Sequence, residues 1–254
     1  LLPMASAIWS ASLDAIRSFP ALTLIRFFDN HGFLSVDDRP PWLTVRGGSR
    51  TYVGAILEGF RGEVRVGCGV RSIRREAPGV VVRPAAGGAE RFDHVVVACH
   101  ADQARRLLED PSPAEDELLS AFPYRENDVL LHEDDRVMPR LPRTWSSWNY
   151  HLDDDGRPGA CVTYWMNRLQ RLPPARPFFV TLNRSEAVRP DRVLRRLAYA
   201  HPVFTREGVG AQARHRELVD HRGTSYCGAY WRNGFHEDGV VSALRVCERF
   251  GVGL

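Results

Sequence analysis

Lysine is absent from this 254-residue chain. All 34 of its basic residues are arginines, and the arginine guanidinium keeps its proton in proteins. An arginine therefore cannot form a Schiff base with a carbonyl compound or relay protons as a lysine amine does. Catalysis that depends on a lysine side chain of this segment is excluded.

Long apolar runs are also missing. No stretch reaches the roughly 20 residues of a transmembrane helix, and no signal peptide is visible. The net charge is only +3, and the basic residues are scattered among acidic ones without a polybasic tract. We predict a cytoplasmic protein with no nucleic-acid partner, no transmembrane span and no identifiable partner protein. Peripheral contact with a membrane stays open.

The five cysteines are few and unpaired in the sequence. They lie far apart and none belongs to a C-x-x-C motif, which argues against a zinc site or a thioredoxin-type redox centre. His215 and His221 are six residues apart, a spacing that matches no common zinc motif. We predict buried, reduced thiols and no metal site.

A dinucleotide-binding fingerprint is missing too. Such a unit has G-x-G-x-x-G between a strand and a helix. The nearest match, residues 67–72, has Ser72 in place of the third glycine and continues with a strand-like alternation. The chain starts at Leu1 without an initiator methionine, inside a helix-like pattern. We expect it to be the C-terminal part of a longer protein.

Helical and strand-like patterns follow one another along the first 110 residues. Apolar residues between 8 and 30 recur every three or four positions, which predicts a helix broken at Pro20 and ended at Gly32. The pair Gly47-Gly48, in a unit that starts near Trp42, precedes a helical pattern over 52–60. The next predicted elements are strands at 63–66, 70–74, 79–83 and 92–99, the last buried on both faces, and a helix at 101–108.

Residues 111–210 have a different character, with frequent proline and arginine. Strands are predicted at 128–132, 160–166 and 178–183, and turn-forming residues stand at 153–156. Residues 143–150 are rich in aromatics, among them Trp148 and Tyr150. These side chains could line a cavity for an apolar substrate, or they could pack in the core, which is the commoner place for large aromatics.

The most informative stretch is 225–244. A short apolar run ends in Gly228, and a glycine-punctuated turn with the acidic pair Glu237-Asp238 precedes an alanine-bearing helix. We expect this helix to begin at Asp238-Gly239, where carboxylates suit the positive end of its dipole. The unpaired N–H groups of a helix N-terminus can bind an electron-rich ligand atom.

This stretch resembles the last FAD-binding segment of the flavin-containing amine oxidoreductase superfamily. Its sequences Tyr-Cys-Gly-Ala-Tyr-Trp and Gly-Phe-His-Glu-Asp-Gly are similar to those of a bacterial branch of FAD-dependent or NAD/FAD-binding oxidoreductases. Gly47-Gly48 before a helix is similar to the superfamily's "GG" element. The resemblance implies FAD as cofactor and an α/β fold. It also implies a discontinuous FAD-binding domain without its N-terminal dinucleotide-binding βαβ unit, and a substrate domain with a mixed β-sheet and helices.

The resemblance divides the chain into four segments. Residues 41–110 and 211–254 would form the β-rich and C-terminal parts of the FAD domain. Residues 1–40 would be a helical segment of the substrate domain, and residues 111–210 its main part.

Site residues follow from the same resemblance. The backbone at Val70 would meet the adenine end of FAD, and the strand end at Ala98 would pass close to the dinucleotide. Candidate substrate residues are Gly47, Gly48, Trp148 and Tyr150. The other residues expected to contact the cofactor lie in the C-terminal signature: Gly228, Ala229, Phe235, His236, Glu237, Asp238, Gly239 and Val240.

The implied activity in the full-length parent is FAD-dependent oxidoreduction, with hydride transfer from an organic substrate to flavin. No catalytic residue is identified. Many amine-oxidising relatives place a lysine near the flavin. Its absence, together with the aromatic segment, favours an apolar or lipid-like substrate over an amine. The alternative is a non-catalytic remnant that keeps the substrate-binding half but cannot hold FAD alone.

Overall fold

The structure is a computed structural model that describes residues 1–37, 40–41, 43–152 and 160–253. Its helices are α1 (Leu2–Trp9), α2 (Leu13–Arg17), α3 (Ala21–Asn30), α4 (Arg50–Gly59), α5 (Ala101–Leu107), α6 (Pro113–Ser120), α7 (Met166–Leu169), α8 (Arg206–Ala213) and α9 (His236–Glu248). Its strands are β1 (Val70–Arg75), β2 (Val80–Pro84), β3 (Glu90–Phe92), β4 (Val95–Val97), β5 (Tyr124–His132), β6 (Trp148–Tyr150), β7 (Val162–Trp165), β8 (Phe179–Leu182), β9 (Val193–Pro202) and β10 (Thr224–Tyr226).

The chain forms two compact units, each built from two chain segments. Unit 1 comprises Leu1–Gly62 and Arg125–His201, and unit 2 comprises Glu63–Tyr124 and Pro202–Leu254. The breaks between units therefore fall after residues 62, 124 and 201, whereas the predicted domain boundaries fall after 40, 110 and 210. The assignment of segments to an FAD domain and a substrate domain stays a prediction.

Unit 1 is organised around a five-stranded sheet in the order β6-β7-β8-β5-β9. The pairs β6–β7, β7–β8 and β8–β5 are antiparallel, and Thr163 of β7 lies opposite Thr181 of β8. One core cluster packs under this sheet around Leu130 and Phe179. A smaller cluster joins Ala7 of α1 to Val162 of β7. The predicted strands at 160–166 and 178–183 are confirmed within two residues. The strand predicted at 128–132 is confirmed at its end, but β5 begins four residues earlier, at Tyr124.

The N-terminal helical pattern of unit 1 forms three helices rather than two. The predicted break at Pro20 is confirmed, and so is the predicted stop at His31-Gly32, since α3 ends at Asn30. A second break was not predicted: Ser10 adopts a left-handed conformation with φ 50°, and Ser12 Oγ accepts a hydrogen bond from Ala15 N–H at 3.2 Å. A serine at the N-cap satisfies an unpaired donor of the next helix, so α2 starts there.

Unit 2 contains two small sheets. Strands β1-β2-β3 form an antiparallel sheet. Strands β4 and β10 form a parallel pair in which Val95, Val96 and Val97 lie opposite Thr224, Ser225 and Tyr226. Helix α6 starts at a capping box, in which Ser112 and Glu115 each accept from the other's backbone N–H. The core of the unit gathers large side chains of both segments, including Leu118, Leu119, Tyr226 and Trp231.

Two strand predictions in unit 2 are wrong. Residues 63–66 form no strand: they pair with no described strand, and Val66 is 90% exposed. The run 92–99 is not one strand buried on both faces. It divides between β3, which pairs with β2, and β4, which pairs with β10, and Val96 is 47% exposed. Because the chain changes its strand partner between β3 and β4, it bends there. The exposure of each strand then depends on the sheet to which it belongs.

Other predicted elements of the first 110 residues are confirmed: β1, β2, α4 and α5. The mixture of helices with parallel and antiparallel strands confirms the α/β class. Trp42 and the predicted turn at 153–156 lie outside the described residues.

Candidate functional site

The C-terminal signature joins the end of a parallel strand to a helix in unit 2. Beyond β10, Cys227 N–H donates to Val97 O at 3.1 Å, which extends the pairing with β4 by one residue. Gly228 N–H then donates to Ser242 Oγ of α9 at 2.8 Å, and the same hydroxyl donates to Gly239 O at 2.7 Å. Ser242 is fully buried. This single side chain therefore ties the strand end to the first turns of the helix.

Gly228 is required by space rather than by backbone conformation. Its φ of 162° and ψ of 160° describe extended backbone that any residue can adopt. A Cβ atom at this position would lie 2.4 Å from a ring carbon of Tyr230. Tyr230 is itself buried in the core of the unit, so its ring has little room to move. Because glycine has no side chain, the backbone at Gly228 can pass close to the Tyr230 ring.

Helix α9 begins at His236, not at Asp238-Gly239 as predicted. Asp238 is the third residue of the helix, and its Oδ2 accepts from Phe235 N–H at 3.0 Å. Its Oδ1 lies 3.4 Å from Nε of Arg232. In a capping box, the carboxylate that accepts from the N-cap N–H belongs to the third residue of the helix. Because Asp238 makes this bond, the helix begins two residues before it. The buried Asp238 side chain thus serves the fold of the segment.

The other signature residues divide by exposure. The side chains of Phe235, His236, Glu237 and Val240 are exposed, and Ala229 and Gly239 are half-buried. With Glu237 and Asp238 both in its first turn, α9 carries acidic residues at the positive end of its dipole, as the sequence indicates. Ala229 and the start of α9 are therefore accessible in part, but the buried Tyr230 and Trp231 lie between them in the chain.

Three residues that support the signature were missed by the sequence analysis. Ser242 is one of them. Gln212 Nε2 donates to Tyr230 O at 2.9 Å, and His215 Nε2 lies 2.7 Å from Tyr226 O. Burial lowers the pKa of His215, whose ring stacks on Trp231 at 4.2 Å. Ser242 lies on the buried face of α9 between Asp238 and Val246, where its helical spacing could have pointed to it, but nothing local indicates the partners of Gln212 and His215.

A buried polar network holds the side chain of Tyr226, the last residue of β10. Arg75 of β1 forms an ion pair with the fully buried Glu115 of α6, and it donates to Tyr226 Oη at 3.1 Å. Tyr226 Oη in turn donates to Glu115 Oε1 at 2.6 Å. Burial and the neighbouring carboxylate raise the pKa of Tyr226. Burial by itself would raise the pKa of Glu115, but hydrogen bonds from Ser112 and Tyr226 and the charge of Arg75 lower it overall.

A cavity of about 540 Å³ in unit 2 brings Val70 and Ala98 together. Both residues were predicted to meet the cofactor, and both line this cavity. Its walls are mostly apolar, and Arg71, Gln103 and Arg106 also line it. Apolar walls suit an aromatic ring system, and guanidinium groups suit phosphate oxygens. The residues present therefore fit part of a nucleotide cofactor.

A second cavity, of about 560 Å³, lies in unit 1 and brings Trp148 and Tyr150 together. Gly47 and Gly48 are not among its described lining residues. They form the turn before α4, with φ of 82° and 84°, and Gly48 N–H donates to Val45 O at 2.9 Å. The described residues that line the cavity are Pro3, Met4, Ala7, Ile8, Phe33, Ser146, Ser147, Trp148, Tyr150, Val162 and Leu169.

Residues 2–250 match the sequence profile of the family described as "Flavin containing amine oxidoreductase". The chain belongs to this family. The predicted superfamily is thus confirmed, and FAD is the cofactor that membership of this flavin-containing family supports. No curated protein sequence matches the chain significantly.

Solved structures resemble this family member in fold. A fatty acid isomerase from P. acnes that produces CLA has a TM-score of 0.59 at 13% identity, over 81% of this chain and 52% of its own. Cyclohexylamine oxidase from Brevibacterium oxydans IH-35A has a TM-score of 0.62 at 13% identity, over 99% and 64%. Reduced UDP-galactopyranose mutase has a TM-score of 0.60 at 14% identity, over 98% and 64%. The chain therefore spans about half to two thirds of the length of these proteins.

Within the described ranges of this flavin-containing family member, every helix is too short or too polar to span a bilayer.

Proposed function

We propose that this chain is part of an FAD-dependent oxidoreductase that takes a hydride from an apolar or lipid-like organic substrate. The observation that carries the proposal is the arrangement β10–Gly228–α9. There the buried hydroxyl of Ser242 joins the half-buried Gly228 to α9, whose first residues are exposed. The chain that carries this arrangement belongs to a flavin-containing family. When bound, FAD supplies the hydride-accepting chemistry.

Unit 2 supplies the groups proposed to hold the cofactor. Val70 and Ala98 offer apolar contacts within one cavity, and Arg71 and Arg106 offer positive charge for phosphate oxygens. The half-buried backbone of Gly228 and Ala229 and the first turn of α9 offer a close approach and a partial positive charge. A positive helix end stabilises negative charge that develops on a bound ring system.

Unit 1 supplies the proposed substrate cavity. Trp148 and Tyr150 form part of an apolar wall that would exclude water from the bound substrate. Exclusion of water strengthens every electrostatic interaction made inside such a site. The chain has no lysine to take part in the reaction, so any proton is moved by another group.

The competing hypothesis is a non-catalytic remnant that cannot hold FAD. The sequence contains no G-x-G-x-x-G unit, so we expect residues 1–254 alone to bind FAD weakly. The test compares this chain with the protein encoded by the reading frame extended upstream. An extended protein that purifies with bound flavin, and whose flavin absorption is bleached by an apolar substrate under anaerobic conditions, supports the oxidoreductase. An extended protein that binds no flavin supports the remnant.

Gly239→Val in the extended protein tests the location of the cofactor. A Cβ atom at Gly239 would have Ala229 N, 3.9 Å away, as its nearest neighbour, so the fold accommodates a side chain there. We expect the valine to abolish FAD binding in a fluorescence titration while the circular dichroism spectrum is retained. Gly210→Val is the control, because a Cβ atom at Gly210 on α8 has no neighbour within 4 Å. FAD affinity equal to wild type in Gly239→Val would remove the signature segment from the cofactor site.

A further inference from the structure

The described residues that line the unit 1 cavity are uncharged, and most of them are apolar. Among the described residues that line it, none carries a formal charge at neutral pH. Helix α1 contributes Met4 and Ile8, and the sheet contributes Trp148 and Val162. The cavity is therefore apolar on its helix side and on its sheet side.

Polar atoms near this wall are engaged within the protein. Ser6 Oγ donates to Ala11 O at 2.5 Å, so the Tyr150 hydroxyl, 3.1 Å from Ser6 Oγ, is the donor in the bond between the two. The backbone of Ser146 is held by Asn149. The Asn149 Oδ1 accepts from Ser146 N–H at 3.1 Å, and its Nδ2 donates to Ser146 O at 2.7 Å. A ligand in the cavity thus meets mainly C–H groups and aromatic ring faces.

We propose that this cavity takes the uncharged hydrocarbon part of its ligand, a ring or an alkyl chain, and leaves any charged group outside. Burial of an ammonium or a carboxylate without a counter-charge lowers affinity by roughly a hundredfold or more. Ser146 is exposed and Ser147 half-buried among the lining residues, and we expect their hydroxyls to be the polar groups that a head group outside the cavity meets. The inference rests on the proposed function in taking this cavity as the substrate site. On this inference a small amine does not enter the cavity in its protonated form, although the family is named for amines.

Three ring compounds of similar size test the inference: cyclohexanol, cyclohexylamine and cyclohexanecarboxylate. Each is titrated at pH 7 into the purified chain without FAD and followed by ligand-observed NMR. The amine is protonated and the acid ionised at this pH. We expect cyclohexanol to bind about a hundredfold more tightly than either charged compound. Equal binding of cyclohexylamine and cyclohexanol would overturn the inference.

Two long-chain compounds, dodecanol and dodecylamine, complete the set. A long chain can fill the cavity while its head group stays in water, so the two should bind within about tenfold of each other. The comparison of dodecanol with cyclohexanol separates a chain from a ring as the preferred hydrocarbon. Binding of neither alcohol would overturn the inference.

The variant Met4→Glu places a carboxylate in the wall. Met4 is 40% exposed and is the third residue of α1, where an acidic side chain favours the helix. We expect the affinity for cyclohexylamine to rise at least tenfold and that for cyclohexanol to fall. Leu22→Glu is the matched control, since Leu22 is exposed in the first turn of α3 and is not among the lining residues. An equal response of both variants would overturn the inference.

These measurements involve no FAD and no turnover, so their failure is separate from failure of the proposed function. Binding of neutral ligands that never reduce flavin in the FAD-loaded extended protein would overturn the oxidoreductase proposal and support the ligand class. If cyclohexylamine or cyclohexanecarboxylate binds as tightly as cyclohexanol, the inferred preference for uncharged ligands is overturned, whether or not the flavin is reduced.

Discussion

The hydroxyl of Ser242 accepts a hydrogen bond from the backbone N–H of Gly228 at 2.8 Å and donates its own to Gly239 O at 2.7 Å. Gly228 and Ser242 are 14 residues apart in the sequence, and the bond between them joins the end of a parallel strand to the second turn of α9. Ser242 is fully buried, so water cannot take its place. The geometry of the segment from Gly228 to Gly239 therefore depends on the buried Ser242 side chain, which is not itself one of the predicted site residues.

Ser242→Ala should destabilise the chain by about 1–3 kcal/mol, because Gly228 N–H loses its acceptor in a site without water. The free energy of unfolding, measured in urea, checks this value. Ser120→Ala is the matched control, since the Ser120 hydroxyl donates to Glu117 O from an exposed position in α6. Equal stability of the two variants would contradict the role assigned to Ser242.

Gly228→Ala and Gly239→Ala should shift stability in opposite directions. The alanine Cβ at Gly228 would lie 2.4 Å from the Tyr230 ring, and such overpacking costs about 1–3 kcal/mol. At Gly239, inside α9, the nearest atom is 3.9 Å away, and replacing a helical glycine by alanine gains about 0.5–1 kcal/mol. Thermal unfolding of both variants tests the pair. A stable Gly228→Ala protein would mean that the Tyr230 ring is free to move.

Glu115→Gln should cost about 1–3 kcal/mol, because Arg75 loses the charge of its fully buried partner but keeps its ion pair with Asp110. Glutamine keeps an acceptor for the Ser112 N–H, so the cap of α6 is retained. The exposed pair Arg65–Glu63 offers a control, since Glu63→Gln removes the same charge at the surface and should change little. Urea denaturation of both variants decides whether burial controls the effect.

Protonation of His132 should make the chain less stable in acid. His132 is fully buried, with Nε2 2.7 Å from Thr181 Oγ1, and burial lowers its pKa to about 4 against the opposing charge of Asp134. The unfolded chain binds this proton near pH 6.5. Stability should therefore be complete above about pH 6.5 and fall as the pH approaches 4, by about 3 kcal/mol.

His132→Gln should lose most of that pH dependence. A smaller slope would remain from His215, whose pKa is also lowered by burial. Urea denaturation between pH 4 and pH 7 compares the two proteins, and identical slopes would show that His132 does not titrate on unfolding.

Local patterns in the sequence were sufficient for much of this chain. Strands β1 and β2 follow alternating apolar residues, and α4 and α5 follow helical periodicity. The signature at 225–244 was sufficient for the family, which the match over residues 2–250 confirms. These features were predictable because propensity and periodicity act over a few neighbouring residues.

Only the tertiary structure decided the features that depend on distant partners. Residues 63–66 have strand-like alternation but pair with no described strand, and the run 92–99 divides between two sheets. The start of α9 depends on the bond from Phe235 N–H to Asp238. Ser242 meets Gly228, and Arg75 meets Glu115, across parts of the chain that no sequence pattern relates. A strand needs a neighbouring strand for its backbone hydrogen bonds, and a buried polar group needs a hydrogen-bond partner. Both are distant in the sequence, so only folding brings them together.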